Sequence, residues 1–431
     1  MKSKHKTGWE RTQNELIPFC NEITQDINDS DPSKGDPLGK CDETMYKLAQ
    51  NLSLICCRAD CPAAIVHTVC GQILFRLATA DEICVRNRAV KSFAEIMNVH
   101  AQVKNPDDGV LLVDLVQAKT MELAGGDFFT YRVSACGLYQ HCFKHQAAKA
   151  EGKNLAQEQL EILNHYKSVF HDESETPMVR RAAAKNYKGF LEECTKEAIL
   201  DESNGILEIW VTQLCKDDQQ DILRVNSVDC CLHLAQVLDE PERAQHLKDR
   251  LVDLVADKSW KVRLDIASKF DKFLTAFRRN ESGAEKVSDV ILLKFIHLLK
   301  DAEADVRAEC LLAIQRCISP AAGSASLIDT DKLISNIVHP YFTNQMLLAD
   351  TSQHVRATVA KIIGDIARQV GADHTSNQLM NPINALLSDD AAEVKLNMVL
   401  AMSGYHSSCM FRIWSKCKFT FGSKSERNYF Y

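Results

Sequence analysis

The chain has little glycine and little proline, 17 and 10 among 431 residues. Both residues break helices, so their scarcity suits a mostly helical chain. It has no excess of positive charge. A net charge of −7 repels a phosphate backbone and argues against nucleic-acid binding. It has no apolar run approaching the ~20 residues that span a membrane. The start Met1-Lys2-Ser3-Lys4-His5-Lys6 is basic, but no apolar segment follows, so it does not read as a secretory signal. There is no P-loop, no GxSxG and no glycine-rich strand-to-helix turn, so neither catalysis nor a cofactor is expected. Seventeen cysteines are present, yet no pair of CxxC knuckles. Cys56, Cys57 and Cys61 are the densest group. The nearest histidine, His67, is not spaced to complete a zinc site, so buried free thiols are expected there. His141 and His145 stand four apart on a helix without the glutamate and third ligand of a zinc site. Asp217, Asp218 and Asp221 lack the glycine and the additional oxygen ligands of a calcium loop. Unpaired thiols at core positions, such as Cys142, Cys231, Cys310 and Cys317, point to a reducing compartment, cytoplasmic or nuclear.

What is present is a repeat. Asp257-Lys258-Ser259-Trp260-Lys261-Val262-Arg263 reads as a tight turn feeding a helix. Asp257 and Ser259 are its N-cap candidates. Val262, Ile266, Phe270 and Phe273 fall on one helical face. The same step returns at Arg86, Arg132, Arg180, Arg224, Arg263, Arg307 and Arg356, with Lys395 in the last copy. The spacings are 46, 48, 44, 39, 44, 49 and 39 residues. A period of about 40–47 residues is that of HEAT-type helix pairs. The expected fold is therefore all-α, a HEAT-repeat α-solenoid shaped as a superhelical horseshoe.

The apolar register is repeated copy by copy. Val85 is followed by Ala89, Phe93 and Ile96; Val179 by Ala183, Tyr187 and Phe190; Val306 by Cys310, Ile314 and Cys317; Val355 by Val359, Ile363 and Ile366. These are packing residues. An acid precedes each step. Asp257, Asp301, Asp350 and Asp389 stand six residues ahead of their cation; Asp81, Asp127 and Glu175 stand five ahead. Two roles are open for it, a helix cap or one rung of an Asp–Arg ladder between neighbouring repeats.

The ends differ from the middle. Residues 1–8 are expected to be disordered, and 28–41 to form a long polar loop. About nine repeats fill 9–402, with Thr44-Met45 standing where the Val-Arg step is lost. Loop insertions are expected at 146–154 and 319–326. Beyond 402 the period stops, and 403–431 reads as a non-repeat tail. No polar capping helix follows, so the last repeat looks half-built, as in a truncated or mis-spliced coding sequence or a species-specific ending.

Several turns carry a resemblance. Glu10-Arg11-Thr12, Glu15-Leu16-Ile17-Pro18-Phe19, Ala124-Gly125-Gly126-Asp127-Phe128-Phe129-Thr130, Thr176-Pro177-Met178-Val179-Arg180-Arg181, Asp257-Lys258-Ser259-Trp260 and Gln353-His354-Val355-Arg356 resemble the A-type scaffold subunits of protein phosphatase 2A, the 65 kDa regulatory type, from about residue 8 to about residue 402. The resemblance implies a non-catalytic scaffold. The family's first ten of about fifteen repeats receive regulatory subunits through their turns, and the last five receive the catalytic subunit. This chain matches repeats two to ten, which implies that it holds regulatory subunits but not the phosphatase itself. A HEAT-repeat transport receptor or other adaptor is the competing reading of the periodicity; such receptors are longer, and these turns do not resemble theirs.

The interface candidates lie in those turns. Trp260 is a large aromatic where a lone monomer would expose it. Phe128 and Phe129 repeat the pattern, with one ring expected in and one out. Pro177 opens its helix, and Met178 follows it. Arg181 lies one residue round from the ladder arginine and faces either a neighbouring repeat or a partner. Asp217, Asp218 and Lys258 complete the set. By resemblance, the turns at 177–181 and 257–260 line the ridge that receives regulatory subunits.

Overall fold

A computed structural model describes residues 8–25, 42–149, 155–282, 286–319 and 325–403. The expectations for residues 1–7, for the 28–41 loop, for most of 403–431 and for parts of both loop insertions lie outside these. The chain forms two compact units, Met1–His233 and Leu234–Tyr431. Each is a stack of antiparallel helix pairs, the α-solenoid arrangement. Among the described residues the one β-type contact is an isolated bridge, Lys104 to Leu111.

The second helix of each pair carries the sequence period. These are α1 (Asp42–Cys56), α2 (Ile83–His100), α3 (Phe129–Gln146), α4 (Pro177–Glu192), α5 (Asp221–Val237), α6 (Trp260–Ser268, continued by Phe270–Arg278), α7 (Ala304–Ile318), α8 (Gln353–His374) and α9 (Ala392–Ser403). Residue 8 is helical, not disordered as expected: the first helix begins at Gly8. The last pair has both its helices, Met380–Leu387 packed on α9, and Leu396, Val399 and Leu400 of α9 are exposed.

The helices form for the reason the register gives. Spacings of 4, 4 and 3 keep side chains within one ~100° stripe. Every such stripe from Val85 to Ile366 is buried, including Ala135, Tyr139 and Cys142 on α3 and Val262, Ile266, Phe270 and Phe273 on α6. Aromatic rings knit the first unit, with Tyr139 edge-on to Tyr166 at 4.9 Å and Phe143 to Phe190 at 4.6 Å. In the second unit Phe270 stacks flat on Phe295.

One close approach depends on glycine. A Cβ at Gly137 on α3 would lie 2.9 Å from Val90 Cγ1 on α2. Valine is stiff at χ1 and cannot swing away. Overpacking costs about 1–3 kcal/mol, and alanine's better helix propensity returns up to about 1. Gly137→Ala is therefore expected to destabilise the chain by about 1 kcal/mol in urea unfolding; a stabilised variant would show that α2 and α3 can separate freely.

Candidate protein-binding ridge

The turns inside the repeats are built by one recurring device. The turn acid accepts the backbone N–H two residues on: Asp257 from Ser259 at 2.7 Å, Asp301 from Glu303 at 2.9 Å, Asp350 from Ser352 at 2.9 Å and Asp389 from Ala391 at 2.9 Å. A short carboxylate bonding its own backbone two residues on closes the turn. Ser259 occupies the N-cap position of α6, and Asp257 lies two residues outside it. The N-cap expectation for Asp257 is thus corrected to a turn-closing role.

The arginine then joins three backbone segments. Its outer nitrogen donates to the carbonyls that open its own turn, as from Arg263 to Asp257 at 2.7 Å and Lys258 at 3.2 Å. Arg307 repeats this on Asp301 and Ala302, and Arg356 on Asp350. The rest of the guanidinium forks onto the acid of the next repeat. Arg263 meets Asp301 at 2.5 and 2.8 Å, Arg307 meets Asp350 at 2.7 and 2.8 Å, and Arg356 meets Asp389 at 2.7 and 3.1 Å. In the first unit Arg132 forks onto Glu175 at 3.0 Å and Arg180 reaches Asp217 at 2.9 Å. Asp217, Asp301, Asp350 and Asp389 thus each close a turn and bind a neighbour. The hydrogen bonds to Asp301, Asp350 and Asp389 hold the pKa values of Arg263, Arg307 and Arg356 above the ordinary arginine value, against the opposing effect of burial.

One ladder position departs from the expectation. Arg86 is buried and donates to the carbonyls of Ala80 and Asp81 at 2.5 and 2.6 Å; it does not pair with Asp127, which is exposed. Asp127 stands five residues ahead of its arginine instead of six. Glu175 stands at the same place and reaches Arg132 because its side chain is one methylene longer. Arg224 is also buried, and donates to the Asp217 carbonyl.

The interface candidates separate. Asp217 is withdrawn from them: its side chain is 4% exposed, held by Arg180 and by the N–H groups of Gln219 and Gln220. It is a ladder acid. Arg181 donates to Gln220 Oε1 at 2.6 Å across to the next repeat while staying exposed. Pro177, Asp218 and Lys258 are exposed. Phe128 and Phe129 are both exposed, not one in and one out; Phe128 sits beside Tyr131, 5.3 Å between centroids. Both precede the buried stripe of α3, which begins only at Ala135.

The sequence reading missed two residues of the same kind. Ile83 and Ile222 occupy the equivalent places, three and two residues ahead of Arg86 and Arg224. With Phe128, Phe129, Met178 and Trp260 they give an apolar side chain, 39% to 65% exposed, at five successive turns. The following copies carry Ala304, Gln353 and Ala392 there. The signal was available as an apolar residue two to four places ahead of the arginine.

No family model matches the chain. Among curated proteins it is 31% identical over 394 residues to the beta isoform of the human 65 kDa A-type regulatory subunit of serine/threonine-protein phosphatase 2A, covering 91% of this chain and 57% of the relative. It is 27% identical to the A-type regulatory subunit of protein phosphatase PP2A from Saccharomyces cerevisiae, over 65% of this chain and 40% of that one. The protein of the same name in Schizosaccharomyces pombe is 31% identical over 62% and 39%. Over most of its own length the chain is similar to the A-type regulatory subunits of protein phosphatase 2A. It spans about half the length of these curated relatives. A crystal structure of a Kap121p mutant, a karyopherin, matches with a TM-score of 0.55 at 13% identity, over 91% of this chain and 38% of that one; it speaks for the HEAT-type fold alone. The ladder and the apolar turn residues differ in kind: the first joins repeat to repeat, and the second leave 39% to 65% of each side chain exposed. Among the described residues no group of three or more metal-ligating side chains is arranged to hold an ion.

Proposed function

We propose that the chain is a non-catalytic scaffold that holds, along the ridge of its intra-repeat turns, a regulatory subunit of protein phosphatase 2A. The observation that carries this is the exposed apolar side chains at four successive turns of the first unit, from Ile83 to Ile222, with Trp260 at the corresponding turn of the second. Exposed aromatic and long aliphatic side chains beside charged ones are what interface anchors are made of. Arg181, Asp218 and Lys258 supply that charge on the same turns. Within the first unit the rungs Arg132–Glu175 and Arg180–Asp217 tie the turns at 128, 178 and 222 together, so a partner meets a partly preformed surface there. The relatives, named as A-type regulatory subunits of this phosphatase, support the reading. Unpaired thiols support a cytoplasmic or nuclear setting.

The test is capture with the purified chain as bait. Regulatory and catalytic subunits enter separately, then together. Capture of only the regulatory subunit is the expected outcome. Recovery of neither, or of a catalytic subunit that binds without help, overturns the proposal. The isolated chain is expected to release no phosphate from a phosphopeptide.

A further inference from the structure

The step from α2 to α3 carries a ladder arginine but lacks its rung. Arg132, Arg263, Arg307 and Arg356 share one geometry. Nη1 donates within the arginine's own turn, and Nε and Nη2 fork onto the acid of the next repeat. Arg86 is held in the same way by Nη1, on the carbonyls six and five residues ahead, those of Ala80 and Asp81. Its planar guanidinium therefore turns the same Nε–Nη2 edge toward the α3 repeat. Among the described residues no acid meets that edge. Its Nε is buried without a partner, and Asp127 stands in solvent. Burial pulls the Arg86 pKa below the ordinary arginine value, against the charges of Asp81 and Glu82 in its own turn.

The neighbouring steps are fastened where this one is not. α2 is tied to α1 by buried bonds, from Ser92 Oγ to the Ala49 carbonyl at 3.0 Å and from Arg88 to Ser53 at 2.8 Å. α3 is tied to the turn before α4 by the Arg132–Glu175 rung. Between α2 and α3 the contacts lie away from the turns. Gly137 admits Val90 midway along, and at the far ends Gln102 Nε2 donates to the His145 carbonyl at 3.1 Å. Nearer the turns the tie is neutral, from Ser134 Oγ to the Ala78 carbonyl at 2.8 Å.

We propose that the α2–α3 step is a joint that opens at its ridge end, and that a docked regulatory subunit holds it shut by bridging Ile83 and Phe128. A buried guanidinium without its acid is destabilising, and opening returns Arg86 to water. The same movement at a completed rung would break a bidentate charged pair, so the array yields here first. The second half rests on the docking ridge proposed above. Ile83 stands on one side of the joint and Phe128 on the other, both exposed. A partner touching both binds the shut form better than the open one, and so shifts the joint toward it.

The experiment is amide hydrogen exchange of the full chain, read by mass spectrometry. Asp127→Glu gives this step an acid of the length and offset of Glu175. It is expected to slow exchange in segment 78–86 about tenfold and to leave 215–224 unchanged. Glu175→Asp, the reverse swap, is expected to speed exchange in 172–180 by about as much. In the unaltered chain 78–86 should exchange faster than 172–180. Equal rates there, or an Asp127→Glu chain that exchanges like the unaltered one, overturn the joint. A purified regulatory subunit is then added, and should slow 78–86 as Asp127→Glu does. Binding that leaves 78–86 unchanged overturns the clamped joint and spares the docking ridge. Absence of binding overturns the ridge, and the free-chain rates still decide the joint.

Discussion

Asp301→Ala should destabilise its helix pairs by about 3 kcal/mol, far more than a surface ion pair gives. The side chain is 5% exposed and serves two repeats at once. It accepts both arms of Arg263 and the Glu303 N–H. Truncation leaves a largely covered guanidinium without its acid. Breaking a buried pair this way costs about 3–5 kcal/mol, whereas an exposed pair is worth about 0–1. The lower end applies, because Arg263 keeps its bonds to the Asp257 and Lys258 carbonyls. In a repeat array the damage stays local, since each repeat touches only its neighbours. Hydrogen exchange should therefore rise first in the turns around 257–259 and 301–303. A urea-unfolding loss below about 1 kcal/mol would reduce the ladder to decoration.

The same rung sets an acid dependence. Burial works to raise the Asp301 pKa, but the bonds from Arg263 and Glu303 and the charges of Arg263 and Arg307 prevail and hold it below the ordinary aspartate value. For Asp389 the Arg356 hydrogen bond is the leading cause of the same shift. A carboxyl depressed in the folded state stabilises fully above its unfolded pKa of about 4, and that stability is lost as pH falls through the lower folded value. The urea midpoint is expected to hold steady from about pH 7 to about 5 and to fall below about 4. Asp301→Ala should flatten part of that fall, and an unchanged slope would assign it to other carboxylates.

The sequence made the ladder legible but not its reach. Period and register follow from residue type alone, because an apolar side chain every third or fourth place can only be a buried stripe. Whether an acid reaches the next repeat depends on chain length and offset. Glu175 and Asp127 share an offset and differ by one methylene, yet only Glu175 makes its rung. Asp217 was placed among the interface candidates, in a turn where three acids cluster. The fold buries it because Arg180 of the preceding repeat arrives with a charge to neutralise. The apolar ridge was half legible. Phe128 and Trp260 were seen through their size; Ile83 and Ile222 were passed over because an aliphatic residue at a helix start looks like core.

Phe128→Ala and Trp260→Ala should each weaken the binding of regulatory subunits by about 30-fold while leaving the chain folded. Truncating an anchor residue of an interface costs about 2 kcal/mol or more, and about 1.4 kcal/mol is tenfold in Kd. Stability should change by about 1 kcal/mol or less, because neither side chain belongs to a buried stripe. Gln353→Ala is the matched control. It changes the same helix-start position on α8, beyond the apolar row, and should leave affinity within about twofold. The comparison is made by titrating the full chain with a purified regulatory subunit, with urea unfolding of every variant alongside. If Phe128→Ala and Trp260→Ala bind as tightly as the unaltered chain, the ridge is not the docking surface. Gln353→Ala weakening binding as much as they do would move the partner's footprint toward the later repeats.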